Sequence, residues 1–410
     1  MPRRPAARLA FAGVQAGQSQ APTAGSAEPP PLGAVLREWG RLGCVGFGGP
    51  PTHMALLREL CVERRRWLTA AEFEDAIAAC NLLPGPASTQ LAIFCAWRVR
   101  GPLGALVGGA AFILPGLVAI IALGALFLAS SAPAWVRGAG AGAGAAVPAV
   151  ALRTGTLLLA TARTRPGGAV GPRLWAYLLL GAASAATLGP WLVLALIACG
   201  AAEIARRGAP WRGLGVLLTP LRGPLAAAAA AASGGLLALC WVALKVGALS
   251  YGGGFVIVPL MQHDAVTRYH WLTSAQFLDA VALGQVTPGP LVQTVAVVGY
   301  AAAGVGGALL AAAVAFAPSF AFVLGGARHF DALRASAHVQ GFLAGAGPAA
   351  IGAILGSAIP LALALSEPWQ AALLIGAAAL LVARRGVVTT LLAAGVVGAG
   401  LGLAGAPLSH

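Results

Sequence analysis

Between Arg100 and Arg137 the chain runs for 36 residues without a charged side chain, and between Asp279 and Arg328 it does so for 48. About 20 apolar helical residues cross the hydrocarbon of a bilayer, so each run is long enough to span it at least once. Charged residues make up 9% of the chain and hydrophobic ones 59%, against about a quarter charged in a soluble domain. The sequence lacks the ~10-residue alternating segments of a membrane β-barrel. It predicts an all-α, polytopic transmembrane helical protein whose first partner is the lipid bilayer.

The net charge of +14 does not point to nucleic acid. The basic residues lie scattered between apolar blocks, as in Arg163, Arg165 and Arg173, then Arg206, Arg207, Arg212 and Arg222, then Arg384 and Arg385. Lys and Arg decorate membrane-protein loops in this way, and no basic stripe with interleaved aromatics occurs. The six cysteines form no C-x-x-C pair, and the six histidines lack the spacing of a metal site, so no cofactor or metal is expected.

One stretch occurs twice, 204 residues apart. Residues 41–90 align without gaps on 245–294 with 17 identities in 50 positions. Shared are Gly48-Gly49 with Gly252-Gly253, Trp67-Leu68-Thr69 with Trp271-Leu272-Thr273, Asp75 with Asp279, and Pro84-Gly85-Pro86 with Pro288-Gly289-Pro290. The chain therefore reads as a disordered tail over 1–31 rather than a targeting segment, a first repeat over 32–205, a basic loop over 206–224 and a second repeat over 225–410. The connectors differ in charge: 58–66 carries Arg58, Arg64, Arg65 and Arg66, whereas 262–270 carries Arg268 alone. Opposite membrane sides would explain this, so an inverted repeat is expected.

Within each copy, Thr69 with Glu72 and Thr273 with Gln276 have capping-box spacing, and Leu68 with Phe73 and Leu272 with Phe277 have staple spacing. A helix starting at Ala70 must break at Pro84-Gly85-Pro86, about 21 Å further on at 1.5 Å per residue. That depth lies inside a hydrocarbon core about 30 Å thick. A break there exposes backbone groups that lipid cannot satisfy, and it is tolerated only against protein or water. Transporters with internal repeats place substrate sites at such discontinuous helices.

Pro86 and Pro290 are expected at the first position of the resuming helix, with the amides after them aimed at the break, where a helix N-terminus favours an anion. Around the breaks stand Asn81, Ser88 and Thr89, matched by Gln285, Thr287 and Gln293, which can donate to oxyanion oxygens or simply satisfy the interrupted backbone. Gly48, Gly49, Gly252 and Gly253 allow positive φ and close backbone approach. Arg41 and Lys245 recur at the same offset and would supply positive charge, with Asp75 and Asp279 as their partners or as proton carriers. Interfacial snorkelling and first-turn dipole complement are the plainer readings of these charges.

The paired motifs, Phe47-Gly48-Gly49-Pro50 with Trp67-Leu68-Thr69 and Asn81-x-x-Pro84-Gly85-Pro86, then Tyr251-Gly252-Gly253 with Trp271-Leu272-Thr273 and Gln285-x-x-Pro288-Gly289-Pro290, resemble the chromate ion transporter family in its long two-domain form. The resemblance covers nearly the whole chain from about residue 32. It departs from internal symmetry where Gly254 matches Pro50 and Gln285 matches Asn81. It implies a permease of the bacterial inner membrane that exports chromate and confers chromate resistance. Sulfate or another tetrahedral oxyanion, or an anion channel, are the rival readings. Protons as coupling ion and a homodimer stay open, and no nucleophile–base pair suggests an enzyme.

Overall fold

The computed structural model describes residues 29–80, 83, 85–164, 171–187, 192–207, 235–250, 255–326 and 336–408. Most of the tail and of the inter-repeat loop expected from the sequence lies outside the described residues. Every regular element described is helical. In the first repeat α1 (Leu32–Val45) and α2 (Pro50–Arg58) lead into a π-helical turn, Glu59–Arg64. Next come α3 (Ala70–Cys80), α4 (Ala87–Phe127), α5 (Ala134–Thr164), α6 (Pro172–Thr187) and α7 (Leu192–Arg206). The second repeat retraces this order through α8 (Gly235–Leu249), α9 (Ile257–Gln262), a π-helical turn His263–Arg268, α10 (Ser274–Val286), a 3-10 turn Leu291–Thr294 and α11 (Val295–Gly326). It closes with α12 (Ala337–Leu363), α13 (Pro368–Val382) and α14 (Val387–Leu403). The segments 87–127, 134–163, 291–326 and 337–363 are long and apolar enough to cross a membrane.

The helix-starting devices form as their spacing predicts. The Thr69 amide donates to Glu72 Oε2 at 2.9 Å and the Glu72 amide to Thr69 Oγ1 at 3.2 Å. In the second repeat the Thr273 amide donates to Gln276 Oε1 at 2.9 Å and the Gln276 amide to Thr273 Oγ1 at 3.2 Å. Leu68, Phe73, Leu272 and Phe277 are all buried, as staples require.

Beyond the break the chain does not continue along the same axis. Arg98, near the end of the resuming helix, is ion-paired with Glu72 at the start of α3. The two segments thus fold back as a hairpin with Pro-Gly-Pro at its tip. A second reversal comes at once, where Gly101 takes φ +65° and Gly304 takes φ +62° at the corresponding point. There 87–99 packs back on 102–127, with Gly104 against the Ala96 carbonyl and Gly108 against the Ala96 side chain, while Gly299 and Gly307 face each other in the second repeat. Residues 102–127, at 1.5 Å per residue about 39 Å long, then make the full crossing.

The repeats interlock. The long helix of the first, α5, packs on α10, α13 and α14 of the second; the long helix of the second, α12, packs on α6 and α7 of the first. Small residues allow the approach, as membrane helices without a hydrophobic driving force between them require. Gly138 and Gly142 meet the backbone of Gly398 and Ala394, and Gly181 and Gly352 meet the carbonyls of Ala349 and Leu178. Two of the four arginines that distinguish the connectors, Arg64 and Arg65, bind the buried Glu38 of α1, and Arg58 binds Glu74. Part of that charge excess therefore serves local ion pairs.

Gly352→Ala would drive its Cβ into the Leu178 carbonyl oxygen, whereas nothing lies within 4 Å of a Cβ at Gly376. Gly352→Ala is expected to lower the melting temperature in detergent sharply. Gly376→Ala is expected to raise stability by about 0.5–1 kcal/mol, the usual gain of Ala over Gly inside a helix. Glu72 supplies a pH test. The Thr69 amide bonded to it, with Arg98 beside it, holds its carboxyl below the ordinary 4.5. A depressed carboxyl stabilises the fold above its unfolded pKa and loses that contribution as pH falls through the folded one. The stability difference between wild type and Glu72→Gln is expected to be constant from neutral pH down to about 5 and to shrink below that, read by thermal melts across pH.

Candidate functional site

Each break is docked on the other repeat. The Gly85 amide donates to the Ser250 carbonyl at 3.0 Å, and the Gly289 amide donates to the Gly46 carbonyl at 2.9 Å. These bonds are symmetry mates, since Gly46 matches Ser250 and Gly85 matches Gly289 at the 204-residue offset of the repeats. Ser250 and Gly46 directly follow the first helix of their repeats, α8 and α1. Both tip glycines need positive φ, +118° at Gly85 and +96° at Gly289. Gly48 and Gly49 also take positive φ, +93° and +81°, which makes the turn into α2. Asn81, Pro84, Gly252 and Gly253 lie outside the described residues.

The prolines sit one position earlier than expected. Pro86 is the N-cap of α4 at ψ 100° and Pro290 the N-cap of the 3-10 turn at ψ 135°, because the chain is still extended there. The Pro86 carbonyl takes the amides of Thr89 and Gln90, both at 3.0 Å. Ala87 and Ser88 then remain as first-turn amides without a partner in their own helix.

Polar side chains at the breaks divide into two groups. Thr287 and Thr294 donate to the Leu283 and Leu291 carbonyls at 2.8 and 2.7 Å, satisfying interrupted backbone. Gln293 Nε2 donates to the Pro288 carbonyl at 2.6 Å. That carbonyl seats against Gly116 of α4, where a Cβ would overlap it. By contrast, Thr89 Oγ1, Ser250 Oγ, Gln285 Nε2 and Gln293 Oε1 are buried and bond to nothing among the described residues. A buried polar atom left unmatched costs free energy of the order of 1–3 kcal/mol, so each of these atoms, near a break in sequence, is available to a polar occupant.

His53 of α2, which has no metal spacing and belongs to no motif, also enters the site. It is almost fully buried, with Nε2 2.9 Å from the Gly46 carbonyl and Nδ1 3.3 Å from Ser88 Oγ. It thus touches the acceptor that holds the second break and the first turn that follows the first break. The one signal of it in the sequence is its lack of a counterpart: the matching position of the second repeat is Ile257.

The recurrent charges do not gather at the breaks. Arg41 and Asp75 are exposed. Lys245 is buried, but its partner is Asp264 of the π-helical turn, not Asp279. The first repeat also pairs its helix with the turn, but at other positions and with opposite polarity: acidic Glu38 on the helix, basic Arg64 and Arg65 on and just after the turn. Lys245 is thereby neutralised and does not supply the free charge expected of it. Asp279 faces α5, where the absence of side chains at Gly140 and Gly144 leaves room for its carboxylate.

Two interlocked helical repeats, each with a Pro-Gly-Pro break docked on the other, define a multi-pass membrane protein. The chromate transporter family matches this chain over residues 33–204 and 237–401, and the chain belongs to that family. It is 34% identical over 334 residues to a chromate transport protein of Cupriavidus metallidurans, covering 78% of this chain and 80% of the relative. A probable chromate transport protein of Synechococcus elongatus is 30% identical, with 78% and 82% covered. An uncharacterized transporter of Methanocaldococcus jannaschii is 28% identical, with 72% and 75% covered. No solved structure matches the chain.

The Lys245–Asp264 pin predicts a non-additive pair. Lys245→Ala leaves a buried carboxylate unmatched and is expected to cost about 3–5 kcal/mol. Lys245→Met with Asp264→Leu removes both charges and is expected to restore folding to near wild type, measured by detergent melts. A Lys245 that served substrate alone would give no such rescue of stability.

Proposed function

We propose that this protein exports chromate across the bacterial inner membrane by alternating access and so confers chromate resistance, with its two repeats inserted in opposite orientation. The observation that carries the reading is the pair of breaks that dock reciprocally across the repeats, with unmatched buried polar groups on the segments beside them. Membership of the chromate transporter family and the names of the relatives support chromate as the cargo. Chromate is a tetrahedral dianion with four acceptor oxygens. Gln285 Nε2 and the hydroxyls of Thr89, Ser88 and Ser250 are donors for them, joined by the first-turn amides of Ala87 and Ser88. Asn81, Pro84, Gly85 and Pro86 complete the first break, and Thr287, Pro288, Gly289, Pro290 and Gln293 the second. Gly48 and Gly49 form the turn into α2, and we assign Gly252 and Gly253 the same role from their matching place in the sequence.

One charge crossing 100 mV is worth about 2.3 kcal/mol, so a dianion leaving an inside-negative cell gains about twice that. Asp279, held among small residues of α5, is the carboxylate we assign to proton movement, with Asp75 as its counterpart in the first repeat. Arg41, exposed at the start of the break region, assists the approach of the anion.

The test is uptake of labelled chromate into inside-out vesicles. Wild type is expected to accumulate chromate with saturation. Gln285→Ala and Thr89→Val are each expected to lower kcat/KM about tenfold or more, the usual scale for a hydrogen bond to a charged ligand. Displacement of chromate by equimolar sulfate would move the assignment to tetrahedral dianions generally, and uptake equal to empty vesicles would overturn it.

A further inference from the structure

The hydrogen bonds of His53 settle its tautomer. The Gly46 carbonyl can only accept, so the Nε2 atom 2.9 Å away carries hydrogen. In the neutral ring Nδ1 is then a bare acceptor, and the Ser88 hydroxyl 3.3 Å away donates to it. The hydroxyl's hydrogen is committed to His53, and only its lone pairs face outward, which disfavours an anion. Protonation reverses the bond. Nδ1–H now donates to Ser88 Oγ, and the hydroxyl hydrogen is released toward the break.

We propose that His53 and Ser88 form a proton-linked switch for oxyanion binding. One proton enters at Nδ1, Ser88 turns from acceptor to donor toward the anion, and a positive charge appears beside both docked breaks. On release of the anion the same proton leaves. This deepens, and rests on, the oxyanion-site reading given above.

The surroundings isolate the ring. Burial holds the His53 pKa below the ordinary 6.5, and the bond to the Gly46 carbonyl acts the other way. On α1, Glu38 is bound by Arg64 and Arg65 and Arg41 is exposed; at the end of α2, Arg58 turns to Glu74; on α4, Arg98 binds Glu72. The segment 287–290, which brings the Gly289 amide to the shared carbonyl, is uncharged. Phe112 covers the ring edge-on at 5.1 Å between centroids. The nearest charge available to the imidazolium is therefore that of a bound anion. By reciprocity, a ligand that favours the protonated ring must be favoured by it to the same degree. The second repeat has Ile257 at this position and contributes no such switch.

The experiment measures chromate affinity of the full-length protein in detergent from pH 5.5 to 8.5, with proton uptake on binding followed in weak buffer. Chromate itself titrates in this range, so variants serve as controls for its own slope. For wild type, affinity is expected to fall with rising pH more steeply than for His53→Gln, by up to about tenfold per unit. About one extra proton is expected to be taken up per anion. Ser88→Ala leaves the His53–Gly46 bond intact and is expected to weaken binding about tenfold at low pH, where the hydroxyl would donate, and little at high pH. Parallel pH profiles for wild type and His53→Gln would overturn the switch while leaving the oxyanion site standing. So would an equal loss for Ser88→Ala at both ends, which is decisive even if His53→Gln does not fold. No chromate binding by wild type at any pH would remove both.

Discussion

Two backbone hydrogen bonds, Gly85 to Ser250 and Gly289 to Gly46, make the rest of this structure possible. A helix broken inside a membrane leaves amides and carbonyls that lipid cannot satisfy. Here each break finds its acceptor at the end of the first helix of the other repeat. Neither break is complete within its own repeat. The same dependence reappears in the packing, where α5 is held by α13 and α14, and α12 by α6 and α7. Glycines at these contacts, rather than large apolar side chains, set the distance, because burial from lipid brings no hydrophobic gain.

Duplication kept the geometry and let the chemistry drift. Each copy ties its first described helix to the π-helical turn with an ion pair, but at different positions: Glu38 with Arg64 and Arg65 in one, Lys245 with Asp264 in the other. At the breaks the copies diverge further. His53 bonds the carbonyl that anchors the second break, while Ile257 only packs. The two breaks are alike in backbone docking and unlike in the side chain beside it, a histidine in one repeat and an isoleucine in the other.

Much of the fold is legible in the sequence because it rests on local rules. The capping boxes at Thr69 and Thr273, the staples beneath them and the breaks at the two Pro-Gly-Pro motifs depend on residues within a few positions of each other. Direction in space is not legible in the same way. A proline break predicts an interruption but not that the chain folds back until Arg98 meets Glu72. The sequence points to the wrong partner for Lys245 for a related reason. Asp264 has no equivalent in the first repeat, where Leu60 occupies the position, so internal comparison favours the recurrent aspartates instead. His53 is invisible to motif reasoning because its importance comes from two oxygens, on Gly46 and Ser88, that only the folded chain brings to it.

The sequence by itself determined that the chain is an all-helical, duplicated membrane protein with two breaks, since charge depletion, capping and proline chemistry act over short stretches. Only the tertiary structure decided which backbone groups meet at those breaks, that the recurrent lysine is neutralised, and that a lone histidine stands where the repeats join. The docking of the breaks depends on contacts between residues far apart in the chain, Gly85 with Ser250 and Gly289 with Gly46, which local physical preferences do not encode.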